Sequence, residues 1–223
     1  MTEYNELFMN DSRVGDFHVL YYENQVWTVN TSWMGNIIQK CPLDLWLYQE
    51  IIYATKPDLI IETGSGFGGS TLYLANLLDI IYKDNLDKGK VISIDCEGKK
   101  RPIHNRITYI NDISITENVI SQLTKVIEKT SSLSVMAILD SDHSKDYVLS
   151  ELEIYSKFVT KDNYLIVEDT NINPLTPDGI MLEGPYMAVR NFIKKHSEFI
   201  IDNSMHKHLL TFNPYGYLKR ISL

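Results

Sequence analysis

The sequence predicts an α/β protein. Its sheet is mostly parallel, covered by helices on both faces, with an antiparallel C-terminal edge strand. Three observations carry that expectation. From residue 42 onward, short and nearly continuous apolar runs alternate with stretches of helical spacing, as expected for strands buried on both faces. The first strong apolar run, Leu59 to Thr63, leads into the glycine-rich turn Gly64-Ser65-Gly66-Phe67-Gly68-Gly69-Ser70. This run and the four that follow it each carry an acid at or beside the end: Glu62, Asp95, Asp112, Asp140 and Glu168.

The elements follow in order. Pro42 is suited to the first turn of a helix, where its missing N–H costs nothing, and Leu43, Trp46, Leu47, Glu50 and Ile51 follow at helical spacing. A strand over 59–63 precedes a helix over 70–81. Strands over 90–95 and 107–110 come next, then a helix over 116–129. A strand over 135–140, a helix over 144–158 and a strand over 164–168 complete the parallel unit. A helix over 186–196 leads to two closing strands, over 198–202 and 208–212. Residues 1–40 are mixed in character and read as an N-terminal arm, a candidate acceptor-site or subunit-interface segment, with residues 41–223 as the main domain.

A chain of 223 residues is large enough for one domain with a sizeable core. Its net charge of −8 argues against nucleic acid or an anionic membrane as principal partner, because both favour a basic face. Cys41 and Cys96 suggest neither a disulfide framework nor a zinc site. The acidic, polar start does not read as a signal peptide, and no apolar run is long enough to span a bilayer. The expected location is the cytoplasm.

Ligands of such sheets bind beyond the carboxyl ends of the strands. Glycines at Gly64, Gly66 and Gly69 let the backbone turn sharply and approach a ligand closely. A carboxylate at Glu62 would repel a pyrophosphate. It suits a cofactor with a cationic or amino end, such as S-adenosylmethionine. Asp95 stands where ribose hydroxyls are accepted, and Asp112 where adenine or its flanking backbone would lie. Solvated turn carboxylates are the plainer reading of both.

A second cluster joins Asp140-Ser141-Asp142-His143 to Glu168-Asp169-Thr170-Asn171. Carboxylates gathered at one rim repel each other unless a cation sits among them. Oxygen donors favour Mg²⁺, Ca²⁺ or Mn²⁺ over Zn²⁺. His143 would then serve as general base. Capping of the following helix by Asp142 or Ser144 is the plainer alternative. The Pro/Gly-rich loop over 172–185 reads as a lid, a substrate wall or a passive insertion. Trp27, Trp33 and Trp46 are candidates for an acceptor pocket or for core packing, and Lys99-Lys100-Arg101 reads as a solvated turn.

The chain resembles the family named for cephalosporin hydroxylase and rhamnosyl O-methyltransferase. The resemblance rests on Ser32-Trp33-Met34-Gly35, Cys41-Pro42-Leu43-Asp44-Leu45-Trp46 and Ile61-Glu62-Thr63-Gly64. It continues through Arg101-Pro102, Arg106-Ile107-Thr108-Tyr109, Leu139-Asp140-Ser141-Asp142-His143-Ser144, Val167-Glu168-Asp169-Thr170-Asn171 and the tail from Leu210 to Leu218. It implies a Rossmann-like class I methyltransferase domain over 41–223 that uses S-adenosylmethionine and a divalent metal, usually Mg²⁺. Glu62, Gly64 and Asp95 would belong to the cofactor site, together with the turn residues Ser65, Gly66, Gly69 and Ser70 and with Asp112. Asp140 or Asp142, with Glu168 and Asp169, would hold the metal, and His143 would take the proton. The implied reaction is O-methylation of a small-molecule or glycan acceptor, in a chain that could also form homo-oligomers. An NAD-dependent oxidoreductase and a non-catalytic cofactor-binding subunit are the rival readings. No two-histidine, one-carboxylate iron site is visible.

Overall fold

The computed structural model describes residues 11–28, 30–129, 133–173 and 183–222. The elements in chain order are α1 (Ser12–Glu23), β1 (Ser32–Trp33), β2 (Asn36–Ile37), α2 (Pro42–Thr55), β3 (Leu59–Thr63), α3 (Gly69–Tyr82), β4 (Lys90–Ile94) and β5 (Ile107–Ile110). They continue with α4 (Glu117–Glu128), β6 (Val135–Leu139), α5 (Lys145–Tyr155), β7 (Tyr164–Val167), α6 (Pro185–Ile193), β8 (Phe199–Ile201), a short 3₁₀ turn (Asn203–His206) and β9 (Tyr217–Arg220).

Seven strands form one sheet in the order β5-β4-β3-β6-β7-β9-β8. The first five are parallel, and β9 runs antiparallel to both β7 and β8. From β3 the chain first builds outward through β4 and β5. It then returns to the other side of β3 to lay down β6 and β7. That reversal opens a crevice at the carboxyl ends of β3 and β6, the usual ligand position in such sheets.

Side chains alternate across the sheet, as strand geometry requires. Leu59, Ile61, Val135, Ala137 and Leu139 pack on one face with Val119, Leu123, Val148, Leu152 and Phe192. Ile60, Met136 and Ile138 pack on the other with Leu47, Ile51, Ile52, Leu74 and Leu78. Local signals set the helix starts. Pro42 opens α2, and the Thr116 hydroxyl accepts from the Val119 N–H to cap α4.

Two expectations need correction. The segment over 208–212 is no strand; β9 over Tyr217–Arg220 takes that place beside β7, so the antiparallel strand lies inside the sheet and β8 is the edge. The cause is Asp44, buried in the first turn of α2. It accepts from Thr211 Oγ1 at 2.5 Å, the Phe212 N–H at 2.9 Å and the Tyr217 hydroxyl at 2.7 Å. Those bonds draw the segment across the rim of the sheet rather than into it. The arm also holds defined elements. Tyr21 and Tyr22 of α1 pack on Phe212 with ring centroids 4.8 and 5.4 Å away, and the β1–β2 hairpin turns through Met34 and Gly35, both at positive φ. Among the described residues no helix is long and apolar enough to cross a membrane.

Asp44→Ala leaves three buried donors without an acceptor. It is expected to lower the unfolding free energy by about 3 kcal/mol or more, measured by urea denaturation. A loss under about 1 kcal/mol would show that Asp44 does not hold this segment.

Candidate active site

A cavity of about 470 Å³ lies at the carboxyl ends of the parallel strands, within the range of small-molecule sites. The β4–β5 side of the sheet contributes Asp95, Cys96, Asp112 and Ser114. The β6–β7 side contributes Asp140, Asp142, His143 and Asp169, and Trp27 reaches the cavity from the arm.

The glycine turn lies between these sides. Gly64 sits at φ +81°, and a Cβ there would overlap the Asp140 carbonyl, so only glycine lets the two loops touch. The Gly66 N–H donates to Asp95 Oδ2 at 2.7 Å, and Arg101 Nε donates to the Gly66 carbonyl at 3.1 Å. Asp95 Oδ1 accepts from the Glu97 N–H at 2.7 Å. Arg101 Nη2 also stands 3.3 Å from Oδ1, so Oδ2 is the oxygen that keeps a lone pair for a ligand hydroxyl.

On the acidic side, Asp140, His143 and Asp169 each place one ligand-capable atom within 4.8 Å of the other two. His143 Nε2 lies 3.5 Å from Asp169 Oδ2. Behind them, the Lys40 ammonium bonds Asp140 Oδ2 and stands 2.6 Å from Glu168 Oε1. Burial pushes the Asp140 carboxyl up to about 6 against the pull of Lys40. Burial, with Glu168 as neighbour, pushes Asp169 up to about 7. Burial likewise pushes Glu168 up to about 8. Burial alone would lower the Lys40 pKa, but attraction to Asp140, Glu168 and Glu62 overrides it, and Lys40 stays an ammonium. One ammonium cannot neutralise three carboxylates, so the acids stay raised although they share it.

The family model for "Rhamnosyl O-methyltransferase/CmcI" matches residues 25–221. The chain belongs to this family. It is an S-adenosylmethionine-dependent O-methyltransferase. Rhamnosyl O-methyltransferase from Mycobacterium leprae (strain TN) is 36% identical over 187 residues, covering 82% of this chain and 78% of that protein. The protein of the same name from Mycobacterium bovis (strain BCG / Pasteur 1173P2) is 32% identical over 192 residues, covering 82% and 74%. Among solved structures, "CmcI-N160 apo-structure" superposes with a TM-score of 0.64 at 17% identity, covering 87% of this chain and 78% of that one. The structure described as "cmcI-D160 Mg-SAM" gives 0.62 at 16%, covering 87% and 78%. These two likenesses concern the fold, a Rossmann-like class I methyltransferase. The oxidoreductase reading falls with the family assignment.

Within this methyltransferase the expected site residues divide. Gly64, Gly66, Asp95 and Asp112 line the main cavity, as do Asp140, Asp142, His143 and Asp169. Ser65, Gly69 and Ser70 line a small recess beside Ile37 and Lys40 instead. Glu62 does not reach the cavity. It is fully buried, and its Oε2 accepts from Thr71 Oγ1 at 2.5 Å and Ser93 Oγ at 2.6 Å, because a residue inside β3 points into the layer beneath the turn. Asp112 is engaged at the start of α4, accepting from the Ile113 N–H at 2.7 Å and Asn118 Nδ2 at 2.8 Å.

Asp142 and Glu168 stand outside the group of three. Asp142 Oδ1 accepts from the Ser144 N–H at 2.7 Å and the Ser144 hydroxyl at 2.5 Å, so it serves the start of α5. Glu168 is turned to Lys40 and does not line the main cavity. Of the tryptophans only Trp27 lines it. Trp33 donates to Asn76 and packs on Tyr73, while Trp46 is exposed beside Glu50. Arg101 is no solvated residue: its side chain is 4% exposed and ties Gly66, Asp95 and Asn111 together. Most of the loop over 172–185, residues 174–182, lies outside the described residues.

Sequence reasoning missed Lys40 and Glu151. Lys40 gives only a faint signal, a lone lysine between Ile37-Ile38-Gln39 and Cys41-Pro42. Glu151 offers none, since it looks like an exposed helix acid. It is fully buried in α5, and its Oε1 accepts from Ser114 Oγ at 2.6 Å and Ser141 Oγ at 2.8 Å. It thereby joins the Asp140–His143 loop to the β5–α4 loop.

Burial raises the Glu151 pKa from 4.5 to about 6. The folded state therefore favours the protonated acid. This contribution is fully present below pH 4.5 and is lost as pH rises through about 6. It amounts to about 2 kcal/mol. Glu151→Gln removes the ionisation and keeps the shape. It is expected to flatten the decline in stability across that window, read from urea melts at several pH values. An unchanged slope would show that Glu151 does not titrate there.

Proposed function

We propose that the acceptor is a sugar hydroxyl, of the deoxyhexose type, in a glycan or glycosylated metabolite, and that a divalent cation, Mg²⁺ first, is held by Asp140 and Asp169. One observation carries the metal: Asp140 and Asp169, from the ends of neighbouring strands, offer oxygens to one point at the cavity. The names of the relatives, rhamnosyl O-methyltransferases, support the sugar. The description of one fold neighbour as "Mg-SAM" agrees with the cation.

The donor set fits. Mg²⁺ is commonly bound through one or two carboxylates, its other positions going to water and substrate. His143 is then free for proton transfer. When bound, the ion supplies a Lewis-acid charge that lowers the pKa of an acceptor hydroxyl, and S-adenosylmethionine supplies an electrophilic methyl group. The residues supply the rest. Gly64 and Gly66 open the backbone to the cofactor, and Asp95 accepts from its ribose hydroxyls. Trp27 offers a flat face to the sugar, and residues 1–40 form the acceptor side of a domain spanning 41–223. His143 Nε2 takes the hydroxyl proton as the carbon–oxygen bond forms and the carbon–sulfur bond breaks. Holding both reactants in line is the main contribution of the protein.

Asp169→Asn is expected to lower kcat by about 100-fold or more while S-adenosylhomocysteine affinity stays near that of the parent protein. Excess EDTA should have the same effect, reversed by Mg²⁺. Undiminished turnover in EDTA would rule out the metal. Trp27→Ala is expected to raise the KM for the sugar roughly fivefold without changing that for S-adenosylmethionine, measured by steady-state kinetics across a panel of glycosides. Equal KM values would remove Trp27 from the acceptor site.

A further inference from the structure

Gln39 lies between β2 and α2, flanked by two buried residues that fix its backbone. Ile38 packs in the core with Leu47 and Ile51, and Lys40 is held by Asp140 and Glu168. Gln39 itself is exposed, and among the described residues no hydrogen bond or ion pair engages its amide. It lines the main cavity, the small recess beside the glycine turn, and a second recess shared with Trp27, Tyr22 and Phe212. Among the described residues no other lines all three. Its Oε1 comes within 3.1 Å of the point that a Cβ on Gly66 would occupy, so the amide lies over the turn that admits the cofactor.

Most other polar groups of the main cavity have internal partners. Asp95 serves Gly66 and Glu97, Asp112 the start of α4 and Asp142 that of α5, while Ser114 and Ser141 are tied to Glu151. The Gln39 amide keeps two N–H donors and two acceptor lone pairs. A sugar hydroxyl both donates and accepts, so this amide can meet two neighbouring hydroxyls at once. It is also neutral. A carboxylate in its place would compete for a cation, and an ammonium would repel the sulfonium of S-adenosylmethionine. Trp27 shares two of these cavities with Gln39 and offers the flat face for the ring.

We infer that Gln39 is a specificity-determining residue: its amide holds the sugar hydroxyl next to the one that reacts, and so selects which hydroxyl faces the methyl group. The inference rests on the sugar-acceptor reading above and deepens it. His143 and the cofactor define where a reacting oxygen must lie. Gln39 and Trp27 define which oxygen of the ring arrives there.

The test pairs variant with substrate. The full chain is assayed on methyl glycosides of rhamnose and other deoxyhexoses, and on analogues that each lack one ring hydroxyl, with the methylated position read by NMR. In the parent protein, loss of the hydroxyl next to the methylated one is expected to lower kcat/KM about tenfold or more. Gln39→Leu should lower kcat/KM for the complete glycoside by a similar factor, yet lose no more when that hydroxyl is missing. It should also spread the methyl group over more than one position. S-adenosylhomocysteine affinity, measured by calorimetry, should stay near that of the parent. A missing hydroxyl that costs Gln39→Leu as much as it costs the parent overturns the inference. So does a single methylated position in both proteins with the loss confined to cofactor affinity, which would make Gln39 a cofactor contact. If the parent binds S-adenosylhomocysteine but methylates no glycoside of the panel, the sugar-acceptor reading itself falls, and the inference with it.

Discussion

Three carboxylates and one ammonium share the ends of β6 and β7, and the surrounding loops are arranged within that constraint. The parallel register places Asp140 and Glu168 on adjacent strand ends, with the Glu168 N–H donating to the Leu139 carbonyl at 2.9 Å. The backbone leaves no freedom to move the acids apart. Repulsion between like charges a few ångströms apart is worth about 4 kcal/mol in surroundings of intermediate polarity. Raised carboxyl pKa values and a neighbouring cation both relieve it. Lys40 supplies one such charge from a segment that belongs to no strand of the main sheet.

The loops around this cluster are held by buried polar side chains rather than by apolar packing alone. Asp44 fastens the segment around Phe212 to the first turn of α2, and that segment in turn offers Asn213 Oδ1 to the Asp169 N–H at 2.9 Å. Glu151 joins the loop after β6 to the loop after β5. Arg101 ties the glycine turn to the strand ends beside it. Each anchor fixes a loop that carries a site residue to a rigid element, which is how a site keeps its geometry without being buried in the core.

Much of the fold was legible because its signals are local. The strands at Leu59–Thr63, Lys90–Ile94, Ile107–Ile110 and Val135–Leu139 announce themselves by apolar runs of the right length. The acids at their ends mark the rim. What was not legible is which way each acid points. Glu62 and Asp95 both look like strand-end carboxylates, yet one lies under the glycine turn and the other lines the cavity. Asp142 and Asp140 are two residues apart, and one serves a helix start while the other faces Lys40. The segment over 208–212 has the composition of a strand, but Asp44 offers its backbone and Thr211 better partners than a sheet edge would.

By itself the sequence determined the alternation of strands and helices, the crevice beyond the glycine turn, and the family, because those depend on local spacing and on contiguous blocks such as Leu139 to Ser144 and Val167 to Asn171. Only the tertiary structure decided the division of labour among the acids. The reason is one of distance along the chain. The direction of a buried carboxylate is set by its partner, and Lys40 reaches Asp140 from 100 residues away, while Asp44 meets Phe212 from 168 residues away. No periodicity records such pairings; they exist only once the chain has folded.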